Sequence, residues 1–531
     1  LFYMMESVPG RLLVRLIFPI SLSPKIQLMT DMQSEVKKTG MPAAVPYIIG
    51  NEAAERFSFY GIRAIMTTFL VAQFFNPTQN PELQAVAEAK SNELSHLFVT
   101  LAYFMPLVGG ILADWFLGKY RVILYVSMLY AAGNLMVALN TENFSLFSLG
   151  LIMIAVAAGG IKSCVSANVG DQFDKSNEHL LSKMYGWFYF TINTGSIVAT
   201  AIIPLIYKHY GAKIAFGIPG ILMVVATVIF WMGRDKYVRV PPSGYKRENF
   251  MTITGAAIWE GLRNIFRKVW KGIGTIFGWN PEVAEAGNTF WVDLGIKYQF
   301  SESAIDGVQA VYRILMVFAF TPIFWALWDQ NLSEWVLQAA KLDRNLFGYE
   351  FLTEQVQTFN PIFLVGMIPV FTYIIFPAIE KAGLKVTPLK KIGAGLVLTA
   401  LTFVIIALLQ EKIDQGFHPS VVWQILAYLI LAAAEVLVSV TCLEYAYTHS
   451  PKSMKSTMSA LYLLGISVGN LFVSLVNNSI SNGGFFSHYT GARYYWLFFG
   501  IMCGFIVLYM LVSRRLPEKR YVGMEVESTE A

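Results

Sequence analysis

The 531-residue chain is 55% hydrophobic and only 14% charged, with a mean hydropathy of +0.51 and a net charge of +5. Soluble domains carry roughly 25% charged residues, so this is the composition of a polytopic membrane protein; its basic residues cluster between apolar runs, which fits membrane topology and no nucleic-acid partner. The three cysteines, Cys164, Cys442 and Cys503, sit in apolar runs without ligand spacing and point to neither a disulfide framework nor a zinc site.

Residues 1–42 read as an N-terminal extension whose apolar stretch LLVRLIFPISL holds an Arg and a Pro and is too short to cross about 30 Å of hydrocarbon. The first span, 48–75, opens with NEAAERFSFYGIR. At about 100° per residue, Glu52, Glu55, Arg56, Tyr60 and Arg63 share one face. A charge facing lipid costs at least ~2.5–3.5 kcal/mol, so this face is expected to line a watery cavity, with Glu52 and Arg56 paired at i,i+4. Glu52 lies nearest the helix start, where headgroup depth is the competing placement. The second span, 95–117, carries His96 near its start, where proton handling competes with an ordinary interfacial histidine. After a third span at 120–139, the fourth, 144–168, buries Lys162 behind LGLIMIAVAAGGI. The fifth, 182–207, sets Tyr189 and Asn193 on one face, and a sixth follows at 212–233.

The linker 234–308 contains Trp259, Leu262, Phe266 and Trp270 spaced three or four apart, with Arg263, Arg267, Lys268 and Lys271 among them. An amphipathic helix on the inner membrane surface is expected; a lateral helix packed between the halves would have nearly the same sequence, and two weak spans here would raise the total to fourteen. The seventh span, 309–336, holds Trp325 and, one turn on, Asp329. Spans at 360–381 and 392–410 precede the tenth, 421–446, where Glu435 and Ser439 are one turn apart; spans at 457–478 and 492–513 and a tail at 516–531 complete the chain.

The count is twelve, and most of the 40 Lys and Arg fall on the side that places both termini in the cytoplasm. The expected fold is all-α: a six-helix bundle over 43–233, the linker, and a second bundle over 309–515. Six plus six around a basic linker is a transporter pattern. Charges from the first, fourth, seventh and tenth spans would converge on a cavity able to hold a zwitterion, and Glu52, Glu55 and Glu435 are the proton-coupling candidates. No nucleotide-binding loop, ion filter or catalytic constellation stands out, which leaves secondary active transport ahead of ATP-driven pumping, conduction or enzymatic activity.

Four stretches carry a family resemblance. Glu52-Ala-Ala-Glu55-Arg56-Phe57-Ser58-Phe59-Tyr60 resembles the ExxERFxxY signature of the proton-dependent oligopeptide transporter family, within the major facilitator superfamily. Phe188-Tyr189-Phe190-Thr191-Ile192-Asn193-Thr194-Gly195 is similar to its FYxxINxG signature. Gly160-Ile161-Lys162 through Gly170-Asp171-Gln172-Phe173 resembles its fourth-helix segment, and Gly109-Gly110-Ile111-Leu112-Ala113-Asp114 to Gly118-Lys119-Tyr120-Arg121 the superfamily's cytoplasmic loop. The resemblance runs from about residue 43 to 515 and implies proton-coupled import of di- and tripeptides by alternating access, with H⁺ as coupling ion, no cofactor, no required oligomer and the lipid bilayer as surroundings.

By the same resemblance, Arg56, Arg63 and Lys162 would serve the peptide carboxylate and switchable salt bridges with Glu52 and Glu55, and Glu435 the peptide N-terminus. Tyr60, Tyr103, Tyr189, Asn193 and Ser439 would line the pocket, Trp325 would wall it, Asp329 would gate it with Arg63, and His96 would assist proton coupling. The sequence departs from the pattern at Ser163, where Pro is common, and at Tyr462-Leu463, where several bacterial members carry a pocket Trp. The short 411–420 connection, in place of the large outer domain of intestinal-type members, favours a prokaryotic inner membrane. A nitrate-type carrier and a non-transporting peptide sensor are the rival readings.

Overall fold

The computed structural model describes residues 40–174, 176–245, 247–276, 290–450 and 454–515. The extension through residue 39 and the tail 516–531 therefore lie outside the described residues. Eleven helices there are long and apolar enough to cross a membrane, and a bent pair, Glu302–Phe318 with Thr321–Ala339, makes a twelfth if counted as one span.

The first half contains α1 (Val45–Leu70), which runs on through a π-turn to Phe75, α2 (Pro81–Ile111), α3 (Lys119–Leu139), α4 (Phe144–Gly170), α5 (Leu181–Tyr210) and α6 (Ala212–Met232). α1 packs on α5 and α6, α3 on α4 and α6, and α2 on α4. Close approach of α2 and α4 requires glycine: a Cβ at Gly109 would stand 2.8 Å from the Gly160 Cα. α2 begins well before the expected residue 95. Asn80 caps it by accepting from the Glu82 N–H at 2.9 Å, Pro81 occupies the first turn, and ELQAVAEAKSNELSH is rich in helix formers. That stretch is too polar for a hydropathy window to include, and its inclusion moves His96 from the start of the helix to its middle.

Between the halves, α7 (Phe250–Ile276) packs on α8 (Phe290–Tyr298) and on α9 (Glu302–Phe318). Ile253, Ala257 and Glu260 face these neighbours, and Glu260 accepts from Lys297 at 2.6 Å and Tyr298 at 2.9 Å. Trp259, Leu262 and Phe266 form the expected stripe and stay exposed, so the helix is packed on one face and bare on the other. The side chains of Arg267, Lys268, Trp270 and Lys271 lie outside the described residues. α7 does not pass as a span, so the described residues favour twelve over fourteen.

The seventh span begins at Glu302 and is broken: α9 ends at Phe318, α10 (Thr321–Trp328) follows at 43°, and a 3₁₀ turn (Asp329–Leu332) leads into α11 (Glu334–Ala339). Pro322, which has no N–H to donate, sits in the first turn after the break. After a short hairpin (β1, Asn345–Leu346; β2, Tyr349–Glu350) come α12 (Phe359–Val370), α13 (Phe376–Lys381), α14 (Pro388–Asp414), α15 (Val422–Glu435), α16 (Thr441–His449), α17 (Lys455–Ser481) and α18 (Ala492–Ser513). α10 rests on α17, and there a Cβ on Gly469 would come within 2.2 Å of the Pro322 carbonyl oxygen. The halves meet where α2 lies along α17 and where α5 meets α12 and the turn Thr353–Thr358.

Candidate functional site

The charged face of α1 turns into the first half. Arg56 Nε lies 2.7 Å from Glu52 Oε1 and 2.7 Å from Glu55 Oε2, and Lys162 Nζ from α4 lies 3.5 Å from Glu55 Oε1. Glu52 is 2% exposed and Glu55 is fully buried, so Glu52 belongs to the cluster and not to the headgroup region. Two carboxylates thus balance two cations, which is what makes burial of all four tolerable. Phe59 completes the setting: the Lys162 ammonium stands 3.8 Å above its ring and 5.1 Å from that of Tyr103, so π faces take the place of further hydrogen-bond acceptors.

Two turns further along α1, Arg63 leaves this cluster and crosses to the second half. Its Nη2 donates to Asp329 Oδ1 at 2.8 Å, and Asp329 Oδ2 accepts from Asn470 Nδ2 on α17 at 2.7 Å. Asn470 Oδ1 meets His96 Nδ1 at 2.7 Å, and His96 Nε2 meets Ser333 Oγ at 2.9 Å. His96 is thus part of a chain of polar groups running from Ser333 to Arg63. Lys341 with Glu88 at 3.0 Å, Asn478 with Glu93 at 2.7 Å, and Gln357 with the Ala64 carbonyl at 3.1 Å extend the seam. These contacts all lie in the part of the molecule away from the linker.

Glu435, in α15, faces a different environment. Trp328 Nε1 donates to Glu435 Oε2 at 2.9 Å, and that neutral donor is its hydrogen-bond partner; the described ion pairs do not include it. The helix passes into a π-turn at Val436–Val440 directly afterwards, a local widening that turns Ser439 to bond the Tyr462 hydroxyl at 2.8 Å. Trp325 is 7% exposed, edge-on to Trp328 and Tyr462, with its buried Nε1 lacking a partner. It is packed within an aromatic cluster.

Between these groups, the Tyr60 hydroxyl lies within electrostatic reach of Arg56, Arg63, Glu435 and Asp329, and Tyr103 of Tyr60, Arg56, Asp329 and Arg63. Tyr189, 42% exposed, is in the same range of Glu435, and Asn193 donates to the Tyr189 carbonyl at 2.8 Å within its own helix. The expected site residues therefore gather into three groups: a charge cluster, a seam, and the lone acid Glu435 among aromatic side chains. Sequence reasoning missed Phe59, Trp328, Ser333 and Asn470. Asn470 alone left a signal, as a lone amide in the apolar run LYLLGISVGNLFVSLV. At the loop after α2, Gly118 adopts φ 80° and Lys119 pairs with Asp171 at 2.7 Å, tying α3 to the end of α4. Ser163 bonds the Gly160 carbonyl at 2.9 Å within an unbroken α4.

Comparison with known proteins adds the family context. A family model described as "POT family" matches residues 120–497. Peptide transporter 3 of Caenorhabditis elegans is 35% identical over 401 residues, covering 72% of this chain and 53% of that protein. Solute carrier family 15 member 2 of Mus musculus is 34% identical, covering 75% and 53%. The chain spans about half the length of these curated relatives. Among solved structures, that titled "In meso crystal structure of the POT family transporter PepTSo" is 35% identical with a TM-score of 0.77, covering 90% of this chain and 99% of its own. An "auto inhibited POT family peptide transporter" is 33% identical with a TM-score of 0.79, covering 91% and 98%.

Proposed function

The chain belongs to the POT family, and on that premise we propose that it is a proton-coupled symporter that imports di- and tripeptides by alternating access. One observation carries the reading: Arg56 and Lys162 are held by Glu52 and Glu55, whereas Glu435, across the Tyr60 region, has a neutral hydrogen-bond donor and no ion pair among the described residues. A free peptide supplies what each end lacks. Its ammonium is the counter-charge for Glu435, and its carboxylate competes with Glu52 and Glu55 for the two cations.

That competition cannot be won by thermal rupture of the pairs. At about 3 Å and an effective dielectric of about 20, each is worth roughly 5 kcal/mol. A proton on Glu55 removes the negative charge shared by Arg56 and Lys162: Lys162 is left without an ion-pair partner and is freed for the peptide carboxylate, while Arg56 keeps Glu52 as its one remaining counter-charge. Proton and peptide therefore bind cooperatively, the linkage on which symport by alternating access depends. The concentration of basic residues on the linker side supports cytoplasmic termini. On that orientation the Arg63–Asp329 seam closes the outer face, and this conformation would load and release on the inner one. The short connection after α14, at 415–421, supports placement in a bacterial inner membrane.

The test is uptake of a labelled dipeptide into proteoliposomes, set against its amino-blocked and carboxyl-blocked forms, with and without an inward proton gradient. Acceleration by the gradient and rejection of both blocked forms are expected. Indifference to the blocks would overturn the roles of Glu435 and the basic cluster; indifference to the gradient would overturn symport.

A further inference from the structure

Away from the charge cluster, on the face sealed by the seam, lies a cavity of about 390 Å³ between α2, α11, α14, α17 and α18. Its lining includes Glu88, Asn92, Glu334, Lys341, Asp414 and Tyr494. Most of the charge there is already satisfied. Glu88 pairs with Lys341 at 3.0 Å, and Asp414 accepts from Gln410 at 2.8 Å and from the Ala492 N–H at 2.9 Å, capping α18. Glu334 is the exception: it is half-buried, stands against the Tyr494 hydroxyl and Asn92, and forms no ion pair among the described residues. Asn92, beside Glu334, is 1% exposed, and both its amide atoms lack a hydrogen-bond partner of normal geometry. A polar cavity with an unpaired carboxylate and an orphan amide fits a small positive guest, a hydrated proton above all.

The position of Glu334 says where such a proton would go. It follows Ser333, whose hydroxyl meets His96 and through it Asn470, Asp329 and Arg63; Asn92 lies one helical turn before His96 on α2. From the gathered observations we infer that Glu334 is the proton port of the sealed face: it takes a proton from that compartment while the seam is shut and delivers it to the Ser333–His96 end of the seam. The transfer is a bare proton, from carboxyl to water or hydroxyl and on to imidazole, and needs no other reactant. The charged and titratable groups facing Glu334 are Glu88 from α2, Lys341 beyond α11, Asp414 from α14, and Tyr494 and Tyr495 from α18, with His96 behind Asn92.

This inference rests on the symport reading above, and one experiment separates them. Gradient-driven dipeptide uptake by the full chain in proteoliposomes is followed as the pH on the sealed-face side is lowered, with each variant normalised to its proton-independent counterflow. Glu334→Gln is expected to move the half-maximal pH to the acid side by about one unit, a tenfold greater proton requirement, and Glu334→Asp to restore most of it. Should Glu334→Gln fail to reach the membrane, Lys341→Met decides: without the nearby cation, Glu334 accepts a proton more readily and the profile must move to the alkaline side. A Glu334→Gln profile superimposed on that of the unaltered protein, or an unmoved Lys341→Met profile in that case, overturns the port alone. No acceleration of the unaltered protein by the gradient overturns port and symport together.

Discussion

Replacing Asp329 by Asn tests how the far face is held shut. Arg63 and Asp329 are 5% and 1% exposed, and the carboxylate is engaged on both oxygens, by Arg63 at 2.8 Å and Asn470 at 2.7 Å. Removing one member of such a buried pair costs ~3–5 kcal/mol, because the remaining charge keeps its desolvation without its partner. In an open far side water would solvate Arg63, so the penalty falls on the closed form alone. A loss of about 3 kcal/mol shifts the closed-to-open ratio by about 150-fold, enough to bring a rare open form to a comparable population. Spin labels at Glu142→Cys, on the far end of the first half, and Phe485→Cys, on that of the second, both strongly exposed, would read the change as a new long-distance population. The background needs Cys503→Ser, since Cys164 and Cys442 are buried. Arg63→Met combined with Asp329→Leu removes both charges and should return most of the closed population. A distance distribution unchanged by Asp329→Asn would refute the reasoning.

Gly469→Ala should lower the melting temperature by several degrees, because its Cβ would stand 2.2 Å from the Pro322 oxygen and overpacking costs ~1–3 kcal/mol; Gly366→Ala, with nothing within 4 Å, should not. In the linker, the hydrogen bond from Lys297, with that from Tyr298, holds the Glu260 carboxyl below its ordinary value of 4.5. A carboxyl lowered in the folded state contributes docking stability that is present above its unfolded value and lost as pH falls through the folded one. Hydrogen exchange of α8, corrected for intrinsic rates, should therefore quicken below the ordinary carboxylate range in the unaltered protein and show no such step in Glu260→Gln.

The face of α1 was legible because helical periodicity alone puts Glu52, Glu55, Arg56, Tyr60 and Arg63 side by side, and lipid forbids the alternative. Depth was legible in the same way for Lys162, Asp329 and Glu435. The start of α2 was not: hydropathy registers the apolar part of a helix, and the stretch 81–94 is helical by capping and propensity while remaining polar. Nor could periodicity decide which stripe of α7 packs, since Ile253, Ala257 and Glu260 on one side and Trp259, Leu262 and Phe266 on the other both repeat at helical spacing. Trp328, Ser333 and Asn470 acquire their meaning only from partners on other helices, at separations of 107, 237 and 374 residues. No local pattern carries such information. The family resemblance supplied Tyr103 and Ser439, which spacing alone had left without a role or with only a position.

Asn470 stands between His96 and Asp329 with its oxygen toward the imidazole and its nitrogen toward the carboxylate. That direction fixes the hydrogens beyond it: His96 Nδ1 must carry one, and Nε2 must accept from the Ser333 hydroxyl. The same nitrogen also donates to the Ile466 carbonyl of its own helix at 2.9 Å, so turning the amide end for end would set oxygen against oxygen. The orientation of Asn470 is thus held by its own backbone as well as by Asp329. One primary amide, locked to its helix, decides which nitrogen of a base on the second span carries the hydrogen, and it does so without carrying any charge itself.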